Sequence, residues 1–228
     1  MTKLPVIVLG VLGAIGGWSL PAVAQTADPA GRVDVGIGVL WIGRQPLGTR
    51  TVTETTASGG TRPLFTASSE LDAAAGLEGR VGVRLMTSLF VDAEASYLKP
   101  QIRIALSGDA EGAAPLTAAE KVEQLTAGAS VRWYVPGRIG SSPRFAPFVT
   151  AGGGYLRQLH EQATLVETGR FYQVGGGVTA RLFKGGRFHT KGVGARLDVR
   201  ALIRSKGVAF DGGSKTSPAA GVSAYVRF

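Results

Sequence analysis

The chain has 228 residues, no cysteine, 34 glycines and a formal charge of +9. Without cysteine, disulfide staples, thiolate metal sites and lipid attachment at an N-terminal cysteine are all excluded. The length suits one domain and is short for two, and glycine at about twice its usual share points to closely packed strands, tight turns or disorder.

Met1-Thr2-Lys3 is a short positive start, and Leu4 to Leu20 form an apolar stretch without a charge. Ala22-Val23-Ala24 puts small residues where a signal peptidase reads, which places cleavage before Gln25. The rival reading is a retained membrane helix; the glycines Gly10, Gly13, Gly16 and Gly17 weigh against it. The expected division is therefore a signal peptide at 1–24 and one domain at 25–228. An exported basic chain does not routinely meet nucleic acid, so its charge is either scattered and solvated or suited to phosphate-rich lipid headgroups.

No apolar run after residue 25 approaches the roughly 20 residues of a membrane helix. What recurs is period-two alternation, the mark of a strand with two unlike faces. It predicts eight strands, near 32–43, 71–85, 89–99, 122–134, 146–157, 170–183, 192–204 and 217–228. The fourth sets Leu125, Ala127, Ala129, Val131 and Trp133 against Thr126, Gly128, Ser130 and Arg132. The seventh sets Val193 to Ile203 against Gly194, Arg196, Asp198 and Arg200, with Leu202 as an exception. The connections alternate in length: 44–70, 100–121, 158–169 and 205–216 are long, while Met86-Thr87-Ser88 and the stretches around Pro136-Gly137 and Gly185-Gly186 are shorter. Long outer loops and short inner turns are the asymmetry of a transmembrane barrel, and an even strand number puts both termini on the periplasmic side.

A soluble sandwich also alternates, so the question is which face meets water. The lysines after residue 25 (Lys99, Lys121, Lys184, Lys191, Lys206, Lys215) sit at predicted strand ends, loops or turns, while charges within strands are Arg, Asp and Glu. A narrow interior favours groups that pair with fixed geometry. Glycines crowd the polar face, leaving room for a few long side chains; Gly194→Ser on that face is expected to be tolerated better than Val199→Arg on the apolar one. Aromatics of the apolar face gather at strand ends, Trp41, Tyr97, Tyr155 and Tyr172 toward the outer rim and Trp133 and Phe228 toward the inner. Two such girdles are expected at the membrane interfaces. The prediction is an all-β, eight-stranded antiparallel up-and-down transmembrane barrel.

A cleavable start, eight alternating strands and a last strand Val222-Ser223-Ala224-Tyr225-Val226-Arg227-Phe228 ending in Phe resemble the small outer-membrane barrels of the OmpA-like and OmpX-like superfamily. Residues 146–155, Ala-Pro-Phe-Val-Thr-Ala-Gly-Gly-Gly-Tyr, are similar to a strand common in such barrels. The resemblance covers nearly all the chain after residue 25. It implies a monomer in the outer membrane of a Gram-negative-type bacterium, in contact with outer-membrane lipid and delivered by the barrel assembly machinery through its C-terminal strand. The family's peptidoglycan-binding domain has no counterpart here, so that role is not carried over.

These facings predict an interior ion network of Asp34, Glu78, Arg80, Arg84, Asp92, Glu94, Arg132, Arg181, Arg196, Asp198, Arg200 and Arg227. It reads as a plug, because an eight-stranded barrel is filled by its own side chains; a gate or narrow ion path is the alternative. His160 beside Glu161 in an outer loop and His189 in an inner turn fall at opposite ends, which rules out a shared metal site. Adjacent residues rarely point together, so no catalytic set emerges, and no cofactor. The Gly152-Gly153-Gly154 and Gly175-Gly176-Gly177 runs lack the Lys-Ser/Thr of a phosphate loop. The leading functional expectation is a structural or surface-interaction barrel with an unidentified extracellular partner and no nucleic-acid ligand; a narrow solute channel and a lipid-modifying enzyme follow it.

Overall fold

The computed structural model describes residues 32–135, 144–160, 166–184, 190–205 and 214–228. The expected signal segment 1–24, the turns around Pro136-Gly137 and Gly185-Gly186, Glu161 and His189 lie outside them. The chain forms strands β1 (Val33–Ile42), β2 (Gln45–Thr55), β3 (Thr61–Leu71), β4 (Ala74–Arg84), β5 (Leu89–Leu98), β6 (Gln101–Ser107), β7 (Leu116–Tyr134), β8 (Phe145–His160), β9 (Val166–Lys184), β10 (Gly192–Ser205) and β11 (Lys215–Arg227).

Eight of these close a barrel. The antiparallel order β7-β5-β4-β1-β11-β10-β9-β8 is completed by pairing of β7 with β8, so no stave has a free edge along the wall. Stepping from partner to partner, Arg204 leads through Phe171, Gly154, Gly128, Glu94, Arg80, Gly36 and Tyr225 back to β10 at Gly194. The register thus slips ten residues per circuit (204 to 194), a stagger that tilts the strands by roughly 40° from the barrel axis. This is the fold that the resemblance implied. The end holding Val33 and Arg227 is called the near end below, and its opposite the far end.

The facings follow the two-residue period. Val35, Ile37, Val39, Leu77, Val81, Val131, Val149, Leu197, Val199 and Val222 point outward and are exposed. Between them Asp34, Glu78, Arg80, Asp92, Arg132, Arg196 and Arg200 point inward and are buried. Aliphatic groups outside and charges inside invert the arrangement of a soluble protein.

Residues 44–70 and 100–121 are not the loops expected of them. They form β2, β3, β6 and the first part of β7, a four-stranded sheet in the order β2-β3-β6-β7 that continues the wall beyond the far end. Within this stretch Thr49, Thr51, Thr53 and Thr55 are β-branched residues at alternating positions, which suit a pleated, half-exposed surface. Thr56 to Gly60 supply the tip turn, where Gly59 takes a positive φ of 81°. Leu47, Leu71, Ile102 and Val122 bury one another as the core of this extension, with Ile104 packed against them. Removing that core locally should release the extension and spare the barrel. Ile102→Ala should cost about 2–5 kcal/mol of local stability, read as faster amide exchange in β2, β3 and β6 while β8 to β11 keep their protection.

Candidate functional site: the ion network inside the barrel

Five carboxylates (Asp34, Glu78, Asp92, Glu94, Asp198) and five guanidinium groups (Arg80, Arg132, Arg196, Arg200, Arg227) form one continuous set of ion pairs. From the near end, Arg227 Nε donates to Asp34 Oδ1 at 2.7 Å, and Arg132 Nη2 bridges Asp34 at 3.2 Å and Asp92 at 2.9 Å. Arg196 then joins Asp92 at 3.2 Å to Asp198 at 3.1 Å. Arg200 links Asp198 at 2.5 Å to Glu78 at 2.9 Å, and Arg80 donates to Glu78 at 2.6 Å. Glu94 accepts from Gln173 Nε2, while Gln173 Oε1 accepts from Arg200.

Two spacings generate this set. Alternate residues of one strand share a face, which stacks Arg196, Asp198 and Arg200 on β10 and Glu78 with Arg80 on β4. The other spacing is the diameter: β5 and β10 are four staves apart in the ring of eight, and the Arg196–Asp92 pair joins those opposite walls. Formal charges cancel, five against five. That matters because an unpaired ion taken out of water costs several kcal/mol, whereas paired ions recover much of that cost.

Aromatic rings pack around the arginines at the near end. Arg132 lies over Phe90 at 4.6 Å and Arg196 over Phe148 at 4.4 Å from the ring centroids. Tyr134 meets both rings edge-on, at 5.6 Å and 6.0 Å, and its hydroxyl accepts from Arg132 Nη1 at 3.1 Å. Facing glycines make the space. A Cβ at Gly82 would run into Asp92 Oδ1 and approach Arg132 Nη2 to 2.9 Å.

Two expected members stand apart from these ten. Arg84 reaches the carbonyls of Met86 and Thr87, each at 3.3 Å, and so braces the near-end turn. Arg181 sits at the irregularity where β9 slips against Val193 and Gly194, and its amide donates to the Arg144 carbonyl at 2.9 Å. Both lie at the last inward position before the rim, where the strands end and turn geometry takes over. The acids of β5 are therefore flanked by Arg132, Arg196 and Arg200 rather than by Arg84. Gly194 has less space than the polar face suggests: a Cβ there would collide with the Tyr225 ring and approach the Ala180 carbonyl to 2.5 Å, so Gly194→Ser should itself perturb the wall.

Sequence reasoning missed the interior's far half, which is largely apolar. Leu40, Ile42, Leu98, Phe171, Leu202 and Ala219 form one buried cluster, with Gln124, Gln158 and Arg204 buried on the same face of the wall. Each shares parity with a charged or small inward residue of its own strand, which is the signal that could have found them. Leu202 is no exception in β10; it faces inward between Arg200 and Arg204.

Of the girdle aromatics, Trp41, Trp133, Tyr155, Tyr172 and Phe228 are exposed and Tyr97 is half-buried. Lys99 lies over the Tyr97 ring and pairs with Glu123 at 2.8 Å. That hydrogen bond holds the Lys99 ammonium above its ordinary pKa and the Glu123 carboxylate below the usual range. His160 ends β8 instead of lying in a loop beside Glu161, and its Nδ1 pairs with Glu120 Oε1 of β7 at 3.0 Å. The β-ladder carries His160 past the expected strand end, so its partner comes from across the sheet.

No family model and no curated protein matches the chain. Among solved structures it is similar to neisserial surface protein A, with a TM-score of 0.47 and 14% identity over 86% of this chain and 95% of that one. It is also similar to Ail, the attachment invasion locus protein of Yersinia pestis, with a TM-score of 0.40 and 9% identity over 87% and 99% of the two chains. At these values the strand ladders of the chain itself define its fold.

Breaking one pair should cost far more than removing a surface charge. Asp92→Ala takes one of two carboxylates from both Arg132 and Arg196, leaves the buried set with one positive charge in excess and should destabilise by about 3–5 kcal/mol. Glu54→Ala in the exposed end of β2 should stay within about 0.5 kcal/mol of wild type. Urea unfolding followed by tryptophan fluorescence compares the two directly.

Proposed function

We propose that the protein is an outer-membrane barrel of a Gram-negative-type bacterium, with a lumen closed by its ion network and a far-end extension that serves as a contact surface. The single observation that carries this reading is the inversion of polarity: charged groups are inside while large aliphatic groups stand exposed all round. Ile37 is 67% exposed and Val199 63%, and a continuous apolar band of this kind far exceeds what soluble monomers leave uncovered. Lipid tails are the environment in which such a band is stable, since the ladders of the closed wall leave no strand edge free.

In this reading Trp41, Tyr97, Tyr155 and Tyr172 lie at one membrane interface and Trp133 and Phe228 at the other, with the termini periplasmic. Arg157 and Arg170 face outward next to Tyr155, opposite Leu125 and Tyr155 respectively, where they suit lipid phosphates. The C-terminal strand offers the terminal aromatic that the resemblance associates with the barrel assembly machinery, and the closed wall favours a monomer. Neutral pairing across the full diameter supports a plug over an open path. His160 is bonded to Glu120 of the neighbouring strand, an arrangement that gives little support to a lipid-modifying enzyme. Residues 1–24 act as a cleaved signal peptide.

Three measurements test this reading. Folded protein should co-fractionate with outer membrane and migrate differently on gels before and after boiling; recovery in the soluble periplasm would overturn the proposal. Val199→Arg should destabilise by about 2–4 kcal/mol in lipid, and folding equal to wild type would mean that β10 does not face the membrane there. Purified barrel in vesicles should pass no small solutes, whereas steady flux through the wild type would favour the channel reading.

A further inference from the structure

The ten charges of the network cancel, and the interior holds one more. Arg204, near the far end of β10, is 7% exposed and faces inward. Among the described residues it has neither a carboxylate nor a hydrogen-bond acceptor as partner. Arg80, Arg132, Arg196 and Arg200, the other buried arginines, each have a carboxylate within 4 Å. Network and Arg204 together therefore carry one positive charge in excess, and the excess lies on Arg204. A buried cation is costly until it is paired.

Arg204 lines a hollow of about 20 Å3, room for one or two water molecules, together with Ser96, Gln124 and Thr126. Glu78, Glu94 and Arg200 also border it, but they are already tied to one another and to Gln173. Phe171 and Leu202 are among the apolar groups that complete the wall. The neutral polar groups have donors to offer. Gln124 Oε1 accepts from Gln158 Nε2 at 3.4 Å, which leaves the Gln124 NH2 to donate. The Ser96 and Thr126 hydroxyls bond each other at 2.5 Å and use one of their two protons, so the other remains.

Water supplies no charge to balance Arg204, and an organic acid or a phosphate is too large for the hollow. An occupant that only accepts hydrogen bonds, carries one negative charge and is little larger than water meets charge, donors and size together. We propose that Arg204, with Gln124 and the Ser96–Thr126 pair, holds a single halide ion of chloride size in the far half of the lumen. The ion completes the neutralisation of the interior, so the stability of the barrel becomes linked to chloride.

This inference rests on the closed barrel alone and stands whether or not the extension serves as a contact surface. The test follows the Nε signals of 15N-arginine-labelled protein, folded in nanodiscs, while sodium chloride replaces sodium gluconate at constant ionic strength. Constant ionic strength removes screening as a cause, and gluconate is too large to enter. One signal should shift saturably with chloride, should shift likewise with bromide, and should be the signal missing from Arg204→Gln. Gln124→Leu removes one donor and should raise the half-saturating chloride concentration several-fold while keeping the Arg204 signal. Replacing gluconate by chloride should also raise the urea midpoint of the wild type and leave that of Arg204→Gln unmoved. Gel migration before boiling establishes that each variant is folded. No saturable shift in the wild type, the same shift when gluconate alone is raised, or an equal gain in midpoint for folded Arg204→Gln would each overturn the proposal.

Discussion

Charge inside a wall of paired strands has to be neutralised in place, and this constraint governs the near half of the molecule. Water cannot follow a guanidinium into a space this narrow in sufficient number, so each arginine must find its carboxylate within the barrel. The ladder solves this with stacked residues on one strand and with pairs across the diameter, Arg196 with Asp92 and Arg200 with Glu94. Since the partners sit on opposite staves, the network also fixes register. Slipping β10 by one residue would send Arg196, Asp198 and Arg200 to the outer face together.

Glycine follows from the same constraint. The inward positions opposite the longest side chains must be empty, as Gly82 is beneath the Asp92–Arg132 pair and Gly221 beside Arg200. Elsewhere a glycine lets adjacent strands approach: a Cβ at Gly128 would lie 2.6 Å from the Gly153 carbonyl and 2.9 Å from the Phe171 ring. Treating the polar face as roomy overlooks the Tyr225 ring and the Ala180 carbonyl that crowd Gly194. The interior is filled to contact, and its small residues mark where something larger already sits.

Period-two alternation made the eight staves legible, and their bounds fall within a few residues of those expected except where β7, β8 and β9 run on past the far end. The extension was not legible because threonine, serine and charged residues replace most apolar ones in β2 and β3, so hydrophobic alternation vanishes while β propensity remains. For the interior, strand parity was informative and polarity was misleading. Equating inward with polar picked out Asp34, Glu78 and Arg200 but passed over Phe90, Phe148 and Phe171, which share their face. It also turned Leu202 into an anomaly and hid Arg204 behind it. Parity carried through both residues would have shown a charged near half and an apolar far half. The placement of Arg84 and Arg181 was beyond sequence reach, since it depends on where each strand gives way to a turn or bulge.

The ordered extension changes what the far end can offer a partner. A loop of the same composition would bind by adapting, at the cost of ordering itself; a paired sheet presents fixed side chains. An outer edge such as β2 is also a template for uncontrolled pairing with other strands. Here β2 carries Pro46, and its ladder to β3 is irregular between Pro46 and Gly48 and again between Val52 and Thr53. Gly48 takes a φ of 136° at the first irregularity, and Arg50 lies exposed between the two. Proline, bulge and charge are the devices that blunt an edge. The edge is therefore built against strand addition, so under the proposed function the side chains of the sheet faces and tips, rather than backbone pairing, would be the means by which this end of the molecule makes contacts.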